Sequence, residues 1–289
     1  MIYDNQQYWK NIHQQFSGLR AVGRIGLSAV FNSYKYKSEQ NSFQSVLVKE
    51  IIPRAKNKAK TRVLDVGCGI GFWTNSVKQL FEKHSVTAEY SAMDISPDAV
   101  RNMQINFKDV QVVELNLCED HSFYSNNSFD LIICNYVLHH ITKDQAFEKA
   151  MNNLCSMVNP GGYLVIMDAI LSRSYSPYYA IDTATYQGSG LSRPVQLIDS
   201  ICVKHEMQRM HCSEPISYLL NNCLESENRF LYGYRRFIWR VLEKCFKNNM
   251  LSRIIVVPIF CLDFVLKKSG RGYSSKLIIY KANNARHSR

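Results

Sequence analysis

Three glycines stand at alternate positions directly after an apolar run in the segment Val63–Thr74, VLDVGCGIGFWT. The apolar run predicts a buried β-strand, Gly67, Gly69 and Gly71 predict a tight loop, and the residues after them begin a helical pattern. A strand that turns through such a loop into a helix is typical of parallel α/β sheets that hold an adenosine-containing cofactor at the carboxyl ends of their strands. This segment therefore constrains the fold class and the kind of ligand together.

The spacing of the glycines separates two classes of cofactor. A dinucleotide-binding loop has the form G-x-G-x-x-G, which leaves the helix amino terminus free to hold a pyrophosphate. Here the third glycine comes one residue early and Phe72 occupies the expected place. The spacing argues against a nicotinamide-dependent oxidoreductase. A cofactor without phosphate needs a different loop. Glycine backbone at the turn lets the cofactor approach closely, and an acidic side chain such as Asp65 can bind its cationic end group.

Length and composition indicate a soluble globular protein. The chain has 289 residues, of which 46% are hydrophobic and 20% charged, so it can bury the core of one domain with additions. Its 9 cysteines include no CxxC pair and no histidine cluster accompanies them, which favours reduced thiols in a cytosolic protein and argues against a metal site. The first sixteen residues contain no apolar signal core, and a cytoplasmic location is expected.

The positive charge is concentrated at the carboxyl-terminal end. Residues 1–228 carry 21 Lys and Arg against 22 Asp and Glu, whereas residues 229–289 carry 14 against 2. A basic surface of this kind can contact nucleic acid, anionic lipid or an anionic substrate, or it can simply be solvated. The charge alone leaves these alternatives open.

Strands and helices alternate through the middle of the chain. Short apolar strands separated by helices of ordinary length predict a doubly wound, Rossmann-like α/β fold with a seven-stranded, mostly parallel sheet and helices on both faces. The expected strands are Arg62–Val66, Val86–Met93, Val110–Leu115, Phe129–Cys134, Tyr163–Asp168, Ile216–Leu220 and Lys276–Tyr280. The expected helices are Tyr8–Phe16, Ser42–Ile52, Trp73–Lys83, one beginning at Pro97, Asp144–Val158, Pro194–Met210 and Phe230–Cys245.

This pattern divides the chain into three regions. Residues 1–60 form an expected amino-terminal helical cap, and residues 61–170 form the cofactor-binding core. Residues 171–289 complete the same domain, with a substrate lid at 171–215 and a basic helical insertion at 226–270. The lid is expected because its first part is rich in Ser, Tyr and Gly, including a tyrosine-rich stretch from Tyr175 to Tyr186.

Two segments of the insertion are relevant to membranes. The helix Phe230–Cys245 has apolar residues along one face and five basic residues on the other, which is typical both of a helix on a membrane surface and of an ordinary packed helix. The apolar run Ile254–Leu266 is too short to span a bilayer and contains Pro258 and Asp263, so no transmembrane segment is predicted there.

Polar residues follow three further strands of the predicted sheet. Asp94 ends the second strand, 25 residues after Gly69, where a carboxylate can accept hydrogen bonds from both ribose hydroxyls. Asn116 follows the third strand. The fourth strand runs into the segment FDLIICNYVLHHI, whose carboxyl end is expected to face cofactor and substrate.

These segments together resemble the class I S-adenosylmethionine-dependent methyltransferases. The D-x-G-x-G-x-G loop is similar to motif I of that family, and FDLIICNYVLHHI is similar to its motif IV region. The flanks, with YW near the amino terminus, LRAVG, FNSYKY and SSKLIIYKA, resemble a bacterial subgroup associated with surface-glycan or secondary-metabolite clusters.

The resemblance implies S-adenosyl-L-methionine as cofactor and no metal. At Asn116 the family usually has an acidic residue that recognises the adenine amino group, and the amide carbonyl of Asn116 can accept the same hydrogen bond. Trp9 and Arg20 are implied as lid residues over the cofactor. The full set of implied cofactor-binding residues is Asp65, Gly67, Cys68, Gly69, Gly71, Trp73, Asp94, Ile95, Asn116, Leu117, Asn135, Tyr136, Trp9 and Arg20.

A general base is a separate question. His139 or His140 could take a proton from a substrate hydroxyl, since the pKa of histidine lies near working pH. Both are expected just inside the helix that follows the fourth strand, where adjacent residues point about 100° apart, so at most one of the two is expected to face the site. Direct methyl transfer needs little catalytic machinery, and a mechanism without a base is the alternative.

The acceptor is predicted less directly. We expect O-methylation of a sugar hydroxyl on a cytoplasmic or lipid-linked glycan precursor, with peripheral membrane contact through the basic carboxyl-terminal segment. A small aromatic or polyketide-like metabolite is the alternative acceptor, and a non-catalytic cofactor-binding scaffold subunit is the alternative of another class. Nucleic acid is not the expected acceptor because the motif IV region lacks an [DN]PP[YFW] sequence for a flipped base. The oligomeric state is not predicted.

Overall fold

The computed structural model describes residues 5–16, 18–126, 128–172, 190–222, 228–268 and 275–284. The strands are β1 Thr61–Val66, β2 Ala88–Asp94, β3 Val110–Glu114, β4 Phe129–Asn135, β5 Val158–Asp168, β6 Ile170–Leu171, β7 Arg193–Pro194, β8 Met207–Ser213 and β9 Lys276–Ala282. The helices are α1 Asn5–Gln15, α2 Leu19–Val22, α3 Ala29–Glu50, α4 Ile52–Ala55, α5 Phe72–Lys83, α6 Pro97–Asn106, α7 Ser122–Asn126, α8 Asp144–Ser156, α9 Val195–Lys204, α10 Arg229–Phe246 and α11 Asn249–Lys268.

Seven of these strands form a single sheet in the order β3-β2-β1-β4-β5-β9-β8. The pairs from β3 to β5 are parallel, and β9 is antiparallel to both of its neighbours. The carboxyl ends of β1, β2 and β4 therefore meet at one edge of the sheet. This confirms the predicted doubly wound, mostly parallel fold and places the predicted site residues at a common edge.

Side chains of successive residues along the central strands point to opposite faces of the sheet. Leu64 and Val66 pack on one face with residues from α8 and α9, whereas Val63 packs on the other with residues from α3, α4 and α5. Both faces are covered, which is why the middle parts of β4 and β5 are continuous apolar runs without alternation.

The amino-terminal helices and the insertion share a third apolar cluster. Phe31 of α3 packs against Trp239 and Phe246 of α10, with ring centroids 6.1 and 4.5 Å apart respectively. Val256 and Ile259 of α11 belong to the same cluster. The long helix α3 thus lies between the sheet and the insertion.

The edge of the sheet differs from the sequence prediction. The predicted helix Pro194–Met210 ends at Lys204, and Met207–Ser213 is strand β8 at the edge of the sheet. The predicted strand Ile216–Leu220 is wrong, because this segment forms turns whose apolar side chains Ile216 and Leu220 pack in the third cluster.

The apolar run Ile254–Leu266 lies inside a longer element. It belongs to helix α11, which continues through Pro258 and has 20 residues. By length and composition alone, its segment Asn249–Lys267, with a mean hydropathy of 1.9, is long and apolar enough to cross a membrane. The side chain of Asp263 is nevertheless fully buried against the rest of the protein.

Candidate functional site

A cleft opens at the edge where β1, β2 and β4 end. The space within it, including the part that is open to solvent, is about 850 Å³. Twelve of the predicted site residues line it: Trp9, Gly67, Cys68, Gly69, Trp73, Asp94, Ile95, Asn116, Leu117, Asn135, Tyr136 and His140. The sequence therefore located the cleft from several strand ends that are far apart along the chain.

The glycine loop forms the floor of the cleft. Gly67 and Gly69 have φ angles of +69° and +51°, in the left-handed region that favours glycine. A Cβ atom at Gly67 would stand 2.3 Å from Cγ2 of Val137, and one at Gly69 would stand 2.8 Å from Cγ1 of Val22. Both glycines are needed for the backbone conformation and for close packing against the cleft walls.

Gly71 has a structural role that differs from those of Gly67 and Gly69. It has a φ angle of +78° immediately before α5, and a Cβ there would stand 2.4 Å from Sδ of Met103 and from Cε2 of Phe107. Gly71 does not line the cleft but lets the start of α5 pack closely against α6 and the residue that follows it.

Asp94 connects the glycine loop to the end of β2. Its Oδ2 accepts the Gly69 N–H at 2.8 Å, and its Oδ1 accepts the Ser96 N–H at 2.9 Å. Burial raises the pKa of Asp94 above its ordinary value, although these two N–H groups and the nearby His13 act in the opposite direction. Each carboxylate oxygen keeps a second lone pair for a ligand hydroxyl, so ribose binding stays a prediction that this geometry allows.

Asp65 does not line the cleft. Its side chain is buried behind the loop, where Oδ2 accepts the Thr74 hydroxyl at 2.5 Å. The pKa of Asp65 is raised to about 7, mainly by burial and also by the nearby Asp94 charge, while the Thr74 hydrogen bonds act to lower it. The structure thus gives Asp65 a clear part in holding α5 to β1, while its contact with a cationic end group stays a prediction.

Asn116 lines the cleft but is already engaged in its own turn. Its Oδ1 accepts the Cys118 N–H at 3.0 Å, and its Nδ2 donates to Oε1 of Glu119 at 2.7 Å. This is the pattern of an Asx turn. Recognition of an adenine amino group by the remaining lone pair of Oδ1 stays a prediction.

Asn135 presents a buried amide that has no partner among the described residues. Neither Nδ2 nor Oδ1 makes a hydrogen bond, although the residue is buried and lines the cleft. Leaving such a group unpaired is costly, typically by about 1–3 kcal/mol. A ligand with donors and acceptors of its own would satisfy both atoms of Asn135.

Tyr136 is fixed by a charged pair on α3. Its backbone has a φ angle of +59°, which is uncommon for a residue with a side chain and is found at functional sites. Its hydroxyl donates to Oε1 of Glu39, which also contacts Nζ of Lys35 at 2.6 Å. Burial first, and then the Glu39 charge, raise the pKa of Tyr136 well above its ordinary value, so the phenol stays neutral.

The two histidines lie in a short 3-10 turn, Leu138–His140, and not inside the helix that was expected to contain them. The His139 and His140 rings are 3.8 Å apart between centroids. His140 lines the cleft and meets Trp9 edge-on at 4.8 Å. His139 instead places Nδ1 2.5 Å from Oδ1 of Asp168, the last residue of β5.

Asp168 holds this turn in place. Its Oδ2 accepts the backbone N–H of Leu138 at 2.8 Å and that of His139 at 3.2 Å. Burial acts to raise the pKa of Asp168, but the neighbouring His139, the hydrogen bonds and His140 outweigh burial and hold the pKa below its ordinary value. Asp168 is therefore an ionised carboxylate beside the His139 ring.

The amino-terminal cap contributes more of the cleft than the sequence indicated. Trp9 and His13 of α1 line the cleft, and Nδ1 of His13 lies 2.9 Å from Oγ of Ser96. The side chain of Arg20, the other predicted lid residue, lies outside the described residues, as does the tyrosine-rich stretch Tyr175–Tyr186.

Eleven further residues line the cleft without having been predicted: His13, Val22, Tyr36, Val66, Ile70, Phe72, Met93, Leu115, Cys118, Val137 and Ile141. Many of them are neighbours of predicted residues in the same loops, so extending each motif by one or two positions would have found them. His13, Val22 and Tyr36 belong to the amino-terminal cap, and no local motif marks them.

A family profile described as a methyltransferase domain matches residues 40–215, which is more than half of the chain. The chain belongs to this family. The matched region is a class I, S-adenosylmethionine-dependent methyltransferase domain, with a glycine loop at the end of β1 and a carboxylate at the end of β2. The unpartnered amide of Asn135 and the close approach at Gly69 fit this cofactor.

The methyltransferase domain also has relatives among characterised proteins. Nodulation protein S of Sinorhizobium fredii (strain NBRC 101917 / NGR234) is 27% identical over 110 residues, which are 38% of this chain and 48% of that protein. A ubiquinone biosynthesis O-methyltransferase of Xanthomonas axonopodis pv. citri (strain 306) is 30% identical over 120 residues, which are 40% and 46% of the two chains. The matched region spans about half the length of these two relatives.

A solved structure shares the fold over nearly the whole chain. The N-methyltransferase NodS from Bradyrhizobium japonicum WM9, in complex with S-adenosyl-L-homocysteine, aligns with 98% of this methyltransferase and 100% of that chain at a TM-score of 0.50 and 13% identity. At this identity the likeness concerns the fold.

Proposed function

We propose that this methyltransferase transfers a methyl group to the oxygen of a sugar hydroxyl on a glycan precursor, either cytoplasmic or lipid-linked. The observation that carries the oxygen acceptor is the pair His139 and Asp168 beside the cofactor cleft. A hydroxyl is a weak nucleophile until a base takes its proton, and a histidine held by a carboxylate is suited to that task.

The geometry favours His139 over His140 as the base. Asp168 contacts Nδ1 of His139, which favours the tautomer with the proton on Nδ1 and leaves Nε2 to accept a proton. His140 is buried against Trp9, which supports a role in shaping the cleft wall.

The surroundings of His139 also fit an acceptor site. A Cβ at Gly190 would stand 3.4 Å from Cδ2 of His139, and Leu191 N–H donates to the His139 carbonyl at 2.7 Å. Gly190 and Leu191, which belong to the expected lid region, therefore pass close to this ring. A substrate held under that segment would be close to His139.

The cofactor supplies an activated methyl group on a sulfonium when it is bound, so alignment of the acceptor provides most of the acceleration. In this proposal Asp94 holds the ribose hydroxyls, and the buried amide of Asn135 holds the polar end of the methionine part. Trp9 and Tyr136 line the cleft, and the π density of an aromatic ring attracts a sulfonium.

The names of the relatives support the reaction class. The Xanthomonas relative is named as an O-methyltransferase that acts in ubiquinone biosynthesis, and NodS is named as an N-methyltransferase. We give the oxygen acceptor preference because of the histidine and carboxylate pair.

A metabolite of aromatic or polyketide type is the second candidate acceptor. A hybrid synthetase that joins polyketide and peptide assembly, from Petromyces alliaceus, is 26% identical over 162 residues, which are 53% of this chain and 4% of that protein. A reducing polyketide synthase from Botryotinia fuckeliana (strain B05.10) is 30% identical over 135 residues. These matches favour the metabolite as the acceptor to test beside the glycan.

Cofactor binding is tested first by calorimetry with S-adenosyl-L-homocysteine. Asp94→Ala is expected to weaken binding by at least about tenfold, because a charged hydrogen bond contributes about 1.5–3 kcal/mol. Asp109→Ala, which removes an exposed carboxylate outside the cleft, is the matched control. Absence of binding by the unaltered protein would exclude the proposed activity.

The acceptor and the base are tested with labelled S-adenosylmethionine and extracts that contain glycan precursors or metabolites. We expect label in a glycan fraction as a base-stable methyl ether, and label in an aromatic product would favour the second acceptor. His139→Gln is expected to lower kcat by about 10²–10⁴-fold while cofactor affinity is unchanged. His140→Gln is expected to change affinity more than kcat. Cofactor binding without any labelled product would indicate a non-catalytic subunit.

A further inference from the structure

Helices α10 and α11 expose an apolar surface, which we call the hairpin face. On α10, Phe230, Tyr234, Phe237 and Val241 recur at the spacing of one helical stripe and all are exposed, Phe230 to 89% and Phe237 to 64%. On α11 the exposed apolar side chains are Met250, Leu251, Ile254, Val257, Leu262, Phe264 and Val265. Single exposed apolar residues are ordinary, but contiguous rows on neighbouring helices mark an interaction surface.

The opposite sides of both helices are fixed to the protein. Trp239 and Phe246 of α10 are buried against Phe31. On α11 the buried side chains recur at one helical face: Ser252, Val256, Ile259 and Asp263. The hairpin face is therefore held outward by packing, and it is not the exposed side of a loosely attached helix.

Asp263 shows which side of α11 belongs to the protein. Its carboxylate accepts the Ser217 N–H at 2.6 Å and the Ser38 hydroxyl. Tyr34 of α3 also meets Phe260 of α11 at 5.4 Å between ring centroids. Because α3 covers this side, α11 can enter a bilayer only with its outer side, so a spanning orientation does not fit.

Basic residues border the hairpin face. Arg229, Arg236, Arg240, Lys244 and Lys247 follow one another at intervals of seven, four, four and three residues, which places them in a row beside the apolar stripe of α10. Residues 228–268 contain two acidic side chains. Asp263 is buried, and Glu243 lies 3.7 Å from Lys247, so the charge that this region presents outward is positive.

We propose that the hairpin face docks on the surface of an anionic lipid bilayer, with its aromatic and aliphatic side chains at the level of the acyl chains and its basic row among the headgroups. A helix with aromatic and aliphatic residues on one side and Lys and Arg beside them is suited to this interface. A second copy of the chain docked through the same face would bring basic rows towards each other, which argues against self-association.

This docking would bring the cofactor cleft close to the membrane. Helix α3 contributes Tyr36 to the cleft wall and Phe31 to the packing under α10, so the two surfaces share one rigid helix. The inference stands apart from the proposed acceptor, because it concerns the surface and not the reaction.

Flotation of the full chain with lipid vesicles tests the proposal. We expect binding to vesicles of equal parts phosphatidylcholine and phosphatidylglycerol, weaker binding to phosphatidylcholine alone, and weaker binding at high salt. The combined variant Phe230→Ser, Phe237→Ser and Ile254→Ser is expected to lose at least about tenfold in partition, because three apolar side chains no longer enter the acyl-chain region. The combined variant Arg240→Gln, Lys244→Gln and Lys247→Gln is expected to lose the preference for phosphatidylglycerol.

Matched controls lie elsewhere on the surface. Ile105 and Val203 are exposed to 65% and 68% but stand on α6 and α9, so Ile105→Ser and Val203→Ser are expected to leave flotation unchanged. Binding of S-adenosyl-L-homocysteine checks that every variant is folded. No flotation by the unaltered chain, or equal loss in the control variants, would overturn the proposal. A dimer in solution that the three serine substitutions disperse would assign the face to a second copy instead.

Discussion

Gly69 combines a left-handed backbone with a close approach to the cleft wall. Its φ angle is +51°, and a Cβ would stand 2.8 Å from Cγ1 of Val22. Gly69→Ala is therefore expected to displace the loop and raise the Kd for S-adenosyl-L-homocysteine by about tenfold, which corresponds to about 1.4 kcal/mol. Calorimetry measures the change.

The control for this substitution is Gly233→Ala. Gly233 lies inside α10 with no atom within 4 Å of an added Cβ, so alanine there is expected to leave the Kd unchanged and to stabilise the helix by about 0.5–1 kcal/mol. Equal effects of the two substitutions on the Kd would contradict the assignment of Gly69 to the cofactor site.

The pKa of Asp65 predicts how stability depends on pH. Burial raises it to about 7 from the model-peptide value of 3.8, so the folded chain keeps a proton that the unfolded chain releases between these values. The proton retained by Asp65 contributes fully to the free energy of unfolding below the pKa of Asp65 in the unfolded chain. This contribution is lost as pH rises through the pKa of Asp65 in the folded chain. By the linkage of about 1.4 kcal/mol per pKa unit, up to about 4 kcal/mol is lost on reaching alkaline pH.

The substitution Asp65→Asn removes the titrating carboxyl group, and the amide oxygen of the asparagine can still accept the hydrogen bond from the Thr74 hydroxyl. We expect a flatter dependence of the unfolding free energy on pH, measured by urea unfolding at about pH 5 and about pH 8. Asp109→Asn is the control, because the Lys78 hydrogen bond lowers the pKa of Asp109 despite slight burial, and its contribution changes only at more acidic pH. An unchanged slope in Asp65→Asn would show that Asp65 is not the titrating group.

Among the elements, α11 depends on one buried carboxylate. Asp263 accepts the Ser217 N–H and the Ser38 hydroxyl and lies 3.7 Å from Nζ of Lys267. Asp263→Ala would leave these donors without their acceptor in a buried place. We expect a loss of about 3–5 kcal/mol in the free energy of unfolding, the usual cost of removing one partner from a buried ion pair.

Urea unfolding with Asp109→Ala as the comparison measures this loss. Asp109 pairs with Lys78 but its side chain is largely exposed, so its removal is expected to cost less than about 1 kcal/mol. Similar losses in the two variants would mean that Asp263 does not hold α11 in place.

Elements with a clear hydrophobic period could be predicted, and those without one could not. Strands β1 and β4 were recognised from short apolar runs bounded by polar residues and turn signals, and α6 because Ser96 caps it before Pro97. Strand β8 was missed because it lies at the edge of the sheet and its residues Met207–Ser213 are mostly exposed and polar. The apolar segment Ile216–Leu220 was predicted as a strand of the sheet instead. In the structure it forms turns, and its apolar side chains pack in the third cluster.

Helix α11 has no counterpart among the predicted helices. It continues through Pro258, although a proline removes one backbone hydrogen bond of a helix. The proline lies on the exposed side, and packing of Val256 and Ile259 on the third cluster keeps the helix together across it.

At the scale of the whole molecule, the sequence predicts the half of the site that the sheet provides. Asp94, Asn135 and Gly69 each stand at or beside a strand end, and parallel topology brings such ends together. The other half comes from the amino-terminal cap, where only Trp9 was anticipated. Val22 and Tyr36 reach the cleft through the packing of α2 and α3 on α5, and contacts between such distant segments leave no local sequence pattern.

The cap also predicts a change in dynamics when the cofactor binds. Helix α1 meets the core through Trp9, which contacts His140, and through His13, which contacts Ser96. Both residues line the cleft, so a bound ligand would add contacts that exist only while α1 is in place. Hydrogen exchange of the α1 amides is therefore expected to slow on addition of S-adenosyl-L-homocysteine, by up to about 100-fold at 100 times the Kd.

Exchange measured by mass spectrometry on the full chain gives this result directly. The amides of α9, a helix with no residue in the cleft lining, serve as the internal control and are expected to change little. Trp9→Ala is expected to reduce the protection of α1 and to raise the Kd, because the ring that covers His140 is lost. If saturating ligand left α1 exchange unchanged, α1 would be a fixed wall of the site, and the acceptor would have to enter and leave without its movement.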